Sequence, residues 1–231
     1  LRLLTPVYLA RLWWRVRREP AYRTHWDERL GAGPASPKPG AVWLHAVSLG
    51  ETRAAAALLD ALRKELPNLR LLLTHGTATG REAGQALLRP GDVQVWLPYD
   101  TPGAVRRFLR RHRPRVGVLM ETEIWPNLLF EAQRVGELMV LANARLSEKS
   151  QRKGERFESL LSPAVQSLAL VLAQTDADAS RLIPAGASNV RVSGNLKFDM
   201  TPNPRLVARG LQWRQSLSRP VVLAASTREG E

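Results

Sequence analysis

No cysteine occurs among the 231 residues. That absence excludes a disulfide scaffold, a cysteine nucleophile and a thiolate zinc site. Lysine is scarce too: of 34 basic residues only Lys38, Lys64, Lys149, Lys153 and Lys197 are lysines, leaving 29 arginines. The first eighteen residues contain no acid. The apolar run between Arg2 and Arg11 falls well short of the ~20 residues that span a bilayer.

What is present describes a globular chain, with 44% apolar and 24% charged residues. At roughly 150 residues per domain, the length allows about one and a half domains, enough for a core without a metal or disulfide staple. The 34 bases against 21 acids leave a formal charge of +13, which points to an anionic partner. An arginine bias can follow codon composition as readily as function, so clusters carry more weight than the total. Nucleic-acid binding would rest on net charge alone and is not expected.

Residues 1–18 place Leu1, Leu4, Tyr8 and Leu12 at helical spacing beside Trp13, Trp14 and five arginines. Leucine and tryptophan next to arginines suit an interfacial helix on anionic lipid, or the end of a membrane anchor. The plainer alternative is an amphipathic helix docked on its own domain. We take 1–31 as an amphipathic membrane-proximal segment, and expect the natural start to precede Leu1. The glycine- and proline-rich stretch 31–40 is a surface loop.

Beyond it, short apolar runs alternate with helical stretches. Expected strands are Ala41–Ala46, Leu69–Thr74, Val93–Leu97, Arg115–Met120, Leu138–Ala142, Leu168–Ala173 and Val190–Val192. Uninterrupted apolar strands separated by helices predict an α/β, doubly wound domain over 41–200, its parallel sheet covered on both faces. A helix over Pro204–Ser216 and a strand over Val221–Ala225 are expected to open a second domain across 201–231, most of it missing from this chain.

Ligands in such sheets bind at the carboxyl ends of strands, and four segments fall there. In H-A-V-S-L-G-E-T, Glu51 sits at a helix N-terminus, as either a general base or a capping carboxylate. The segment T-H-G-T-A-T-G (Thr74–Gly80) lacks the lysine of a P-loop and does not match G-x-G-x-x-G, so His75 reads as a polar loop residue. In M-E-T-E-I-W-P-N, Glu121 and Glu123 follow an apolar strand, where burial without a partner is costly. No histidine or aspartate is spaced beside them for a metal. In G-N-L-K-F-D, Lys197 either faces an interdomain cleft, where it would stabilise negative charge, or lies on a linker surface. Separately, Arg106–Arg115 holds six arginines and no acid: a solvated helix face, or a contact with phosphates of lipid or substrate.

Eight segments in order resemble the Kdo (3-deoxy-D-manno-octulosonic acid) transferases of lipopolysaccharide assembly. They are P-A-Y-R-T-H-W-D-E-R-L-G, H-A-V-S-L-G-E, L-P-Y-D-T-P-G-A-V-R-R-F-L, M-E-T-E-I-W-P-N, L-A-N-A-R-L-S-E-K-S, A-Q-T-D-A-D, G-N-L-K-F-D and A-A-S-T-R-E-G-E, from Pro20 to Glu231. Two departures stand out: T-H-G-T-A-T-G replaces the usual T-T-M-T-P-T-G, and Arg228 replaces the histidine of S-T-H-E-G-E.

The resemblance implies a GT-B glycosyltransferase with two Rossmann-like domains. The amino-terminal one takes a lipid A precursor, and the carboxy-terminal one, largely missing here, holds CMP-Kdo. It further implies an inverting transfer without metal or cofactor, at the cytoplasmic face of the inner membrane of a Gram-negative-type bacterium. Glu51 is then the proton acceptor, and Glu121 and Lys197 are transition-state stabilisers.

Overall fold

The structure is a computed structural model that describes Tyr22, residues 24–200 and residues 203–225. The chain divides into one unit ending at Asp199 and a second beginning at Met200. In the first, a short helix α1 (Trp26–Arg29) precedes β1 (Val42–His45), α2 (Leu49–Glu65), β2 (Leu71–His75), α3 (Ala78–Gln85) and β3 (Val93–Trp96). There follow α4 (Pro102–His112), β4 (Val116–Met120), α5 (Pro126–Arg134), β5 (Leu138–Ala144), α6 (Glu148–Glu155) and α7 (Glu158–Gln166). The unit closes with β6 (Leu170–Ala173), α8 (Asp176–Leu182), β7 (Val190–Val192) and a 3-10 turn (Leu196–Asp199).

The seven strands form one parallel sheet in the order β3-β2-β1-β4-β5-β6-β7. Alternation within β1 explains its two layers. Trp43 joins Phe108 of α4 and Leu128 and Leu129 of α5 on one face, while Leu44 joins Ala54, Ala55 and Leu59 of α2 on the other. The doubly wound α/β reading therefore holds. The loop after β3 is tied to α5, where Asp100 accepts from the backbone N–H of Leu128 (2.8 Å) and Asn127 (3.2 Å). It thus supplies the cap that the helix's own N-terminal residue, Trp125, does not.

Three expectations change. Residues 1–21 and Arg23 of the membrane-proximal segment lie outside the described residues. Its remainder belongs to the sheet domain: Tyr22 is buried and stacks on Trp96 at 5.7 Å, and the Glu28 carboxylate reaches the backbone N–H of Trp96. The strand expected to end at Ala142 runs on to Ala144 through a bulge, with Asn143 left-handed at φ 53°. The stretch from Glu148 to Gln166 forms two helices, because Phe157 leaves helical geometry after Gly154 and starts α7 afresh. In the second unit, α9 (Pro204–Ser216) forms as expected, but Val221–Ala225 is not a strand. A strand exists only by pairing, and no described residue pairs with that run.

His75 is also not a loop residue. It ends β2, fully buried, donating from Nδ1 to the Ala46 carbonyl (2.9 Å) and accepting at Nε2 from Gln94 (3.0 Å). Burial pushes its imidazole, and that of His112 in α4, down to about 4. Between pH 6.5 and about 4 the unfolded chain binds protons there that the folded one does not. Stability is therefore fully present above about pH 6.5 and falls as the pH drops, by up to ~1.4 kcal/mol per pH unit for each histidine. Urea unfolding at about pH 7 and about pH 5 measures this, and His112→Gln should flatten the dependence. An unchanged midpoint in the parent chain would mean that both imidazoles titrate normally.

Candidate active site

From β1 the chain moves outward through β2 and β3, then returns to lay β4 on the other side of β1. Such a reversal opens a crevice at the carboxyl ends of the two central strands. Glu51 follows β1 and Glu121 follows β4, so the topology brings to one crevice two residues seventy positions apart in the sequence.

Glu51 is placed by the start of α2. Ser48 is the N-cap, its Oγ accepting from the Glu51 N–H at 3.4 Å. The carboxylate reaches back, accepting from Ser48 Oγ–H (3.0 Å) and the Val47 N–H (2.9 Å). This is the S-x-x-E capping arrangement, which fixes the side chain as well as the helix end. Both readings of Glu51 therefore have a physical basis. Its pKa is raised, mainly by burial; the Val47 and Ser48 bonds oppose the rise, and the nearby charges of Glu123 and Glu121 add to it.

The threonine-rich loop supports this turn. Thr77 caps α3 by accepting from the Gly80 N–H (3.2 Å), and its hydroxyl donates to the Val47 carbonyl (2.8 Å). A Cβ on Gly80 would lie 2.8 Å from that same carbonyl oxygen, so a glycine is needed for the two loops to approach.

Glu121 is nearly fully buried and left-handed at φ 57°, which costs a non-glycine residue roughly 1–2 kcal/mol. Strain of this kind persists where surroundings over-determine it. Here the Glu121 N–H donates to the Ala142 carbonyl (2.9 Å), Arg145 Nε donates to Oε2 (3.0 Å), and Lys197 Nζ lies 3.4 Å from Oε1. Lys197 is carried by the 3-10 turn, which packs on α2, and Leu196 of that turn donates its N–H to Asn143 Oδ1 (3.1 Å). Lys197 is thus paired within the sheet domain, not loose on a linker.

Glu123 has a different environment. Its Oε2 accepts from Trp125 Nε1 (2.8 Å) and lies 3.8 Å from Nε2 of His45, a fully buried side chain whose Nδ1 meets Thr74 Oγ1 at 2.9 Å. Among the described residues no group of three histidine, aspartate or glutamate side chains could hold a metal ion. No helix among them is long and apolar enough to cross a membrane.

The structure thus joins Glu121 to Lys197 and sets Glu51 within the field of Glu123 and Glu121. Sequence reasoning missed Arg145, Asn143 and His45. Arg145 and Asn143 lie in L-A-N-A-R-L-S-E-K-S, a segment with no local spacing that reveals their partners. Chemically, a carboxylate of raised pKa suits proton abstraction, and cations anchored on a neighbouring carboxylate suit stabilisation of developing charge.

Fold and crevice define a doubly wound domain of the GT-B type. A putative UDP-N-acetylglucosamine 2-epimerase from Listeria monocytogenes superposes with a TM-score of 0.51 at 14% identity, over 75% of this chain and 52% of that one. The UDP-GlcNAc 2-epimerase of Neisseria meningitidis gives 0.50, also at 14% identity, over 75% and 51%. At such identity these likenesses concern the fold alone. The family model described as 3-Deoxy-D-manno-octulosonic-acid transferase (kdotransferase) matches residues 24–200. A 3-deoxy-D-manno-octulosonic acid transferase of Bordetella pertussis is 46% identical over the whole of this chain and 56% of its own length. One from Haemophilus influenzae is 33% identical over 93% of this chain and 52% of its length. The chain belongs to the 3-deoxy-D-manno-octulosonic-acid transferase family, and it spans about half the length of these curated relatives.

Proposed function

We propose that this chain is the acceptor-binding part of an enzyme that transfers Kdo from CMP-Kdo to a lipid A precursor, at the cytoplasmic face of the inner membrane. The observation that carries the reading is the convergence of Glu51, Glu121 and Lys197 on one switch-point crevice. Glu51 takes the proton from an acceptor hydroxyl, whose oxygen bonds to the anomeric carbon. The bond from that carbon to the phosphate oxygen breaks, and CMP leaves with the electron pair. Attack opposite the leaving group inverts the centre. Lys197 offsets the charge growing on the departing phosphate. Glu121 fixes Lys197 and Arg145 and favours a cationic sugar centre. No step needs a metal or a cofactor.

The test is mass spectrometry of a tetra-acylated lipid A precursor incubated with CMP-Kdo and the full-length protein. A Kdo mass increment is expected, and its multiple counts the sugars added. A second reading, a non-catalytic membrane or anion-binding module, draws on one observation: both Glu51 oxygens are engaged in capping. Absence of any increment from a folded protein that still binds the lipid would favour that module.

A further inference from the structure

The arginine run on α4 has a use beyond a solvated face. A cleft of about 310 Å³ lies between α4 and the segment after α1, lined by Gly31, Ala32, Arg107, Arg110 and Arg111. Its far wall is built to approach closely. Gly31 adopts φ 73°, and a Cβ there would stand 2.2 Å from the Ala104 carbonyl oxygen of α4.

Two of the three guanidinium groups are held in place by that wall. Arg107 donates from Nε to the Leu30 carbonyl (2.8 Å), and Arg111 donates from Nε to the Gly33 carbonyl. Among the described residues, none of Arg107, Arg110 and Arg111 forms an ion pair with a carboxylate, whereas the neighbouring Arg106 is paired to Glu131 at 2.9 Å. Three adjacent cations without a counter-charge repel one another, and a multiply charged anion relieves that repulsion. The guanidinium fork suits a tetrahedral phosphate best. Because α4 leads into β4, its last turn lies toward the amino edge of the sheet, opposite the Glu51 crevice.

We propose that this cleft is a binding site for a phosphate group, separate from the transfer site. A lipid headgroup is the source the sequence favours, because the segment lining the cleft follows shortly after the tryptophan- and arginine-rich residues 1–18. The site stands whether or not the chain supports sugar transfer.

The experiment measures binding of the full chain to phosphatidylcholine vesicles with and without phosphatidic acid. In parallel, inorganic phosphate is titrated while the arginine Nε–H signals are followed by NMR. Arg107 and Arg111 hold the wall and Arg110 does not, so Arg110→Gln should leave the fold intact, checked by circular dichroism. At about 1 kcal/mol per arginine near a charged surface, it should weaken binding to the anionic vesicles about fivefold. The triple variant Arg107→Gln/Arg110→Gln/Arg111→Gln should weaken it by about a hundredfold.

A charge-matched control on α6, Arg152→Gln/Lys153→Gln with Arg156→Gln beyond its end, should change it by less than about twofold. Phosphate-induced shifts confined to the three cleft arginines, with vesicle binding unaltered by the variants, would support the site and assign it to a soluble phosphate. Equal weakening by the control, or no response from the cleft arginines in either assay, overturns the proposal. Neither readout requires turnover, so a failure here is distinct from a failure of the transferase reading.

Discussion

Replacing Glu51 with glutamine in the full-length enzyme should lower turnover by about 10²–10⁴-fold, the usual contribution of a positioned general base. The carboxamide keeps one oxygen that can accept from the Val47 N–H or Ser48 hydroxyl. Helix capping therefore survives in part, and loss of rate would not be loss of fold. Acceptor lipid binding should persist. Because burial and the charges of Glu123 and Glu121 raise the Glu51 pKa, the acid limb of kcat/KM should lie above the ordinary carboxylate value near 4.5. The rate should be present above that raised pKa and decline as the pH falls through it. Unchanged turnover in the glutamine variant would leave Glu51 as a cap and nothing more.

The largest expected effect on stability is at Glu28. Its side chain is 2% exposed, accepts from the Trp96 N–H at 2.8 Å, and forms a two-pronged pair with Arg81, whose own side chain is 15% exposed. Arg81 and Arg29 also lie over Trp96, at 4.9 and 4.2 Å from the ring. Glu28→Ala leaves the Arg81 charge buried without its partner, which typically costs about 3–5 kcal/mol. The paired replacement Glu28→Met/Arg81→Met should recover much of that loss, since a buried ion pair and an apolar pair of similar volume are often comparable. Urea unfolding of the three proteins distinguishes these outcomes. A loss below about 1 kcal/mol for Glu28→Ala would mean that the pair behaves like an exposed one.

Much of this architecture is legible in the sequence. Each of the seven apolar runs from Ala41 to Val192 forms a strand within two residues of its expected bounds, because strands of a parallel sheet are written as short, dense apolar runs. Where hydrogen bonding overrides apolarity, that signal fails. Asn143 extends β5 past its apolar run by means of a bulge, and Val221–Ala225 is apolar yet pairs with none of the described residues. The capping role of Glu51 is legible in S-L-G-E because its partners lie within four residues. Glu28 and Arg81 are 53 positions apart, and Glu121 and Arg145 are 24 apart, so no window of sequence displays those bonds. The left-handed Glu121 is equally hidden, since the groups that hold it, the Ala142 carbonyl and Arg145, lie more than twenty positions away.

The bond from Leu196 to Asn143 bears on mechanics. It tethers the turn carrying Lys197 to the bulge of a central strand, while the division into two units falls only after Asp199. The Lys197–Glu121 spacing of 3.4 Å is thereby a property of the first unit alone, set by the same bulge that ends β5.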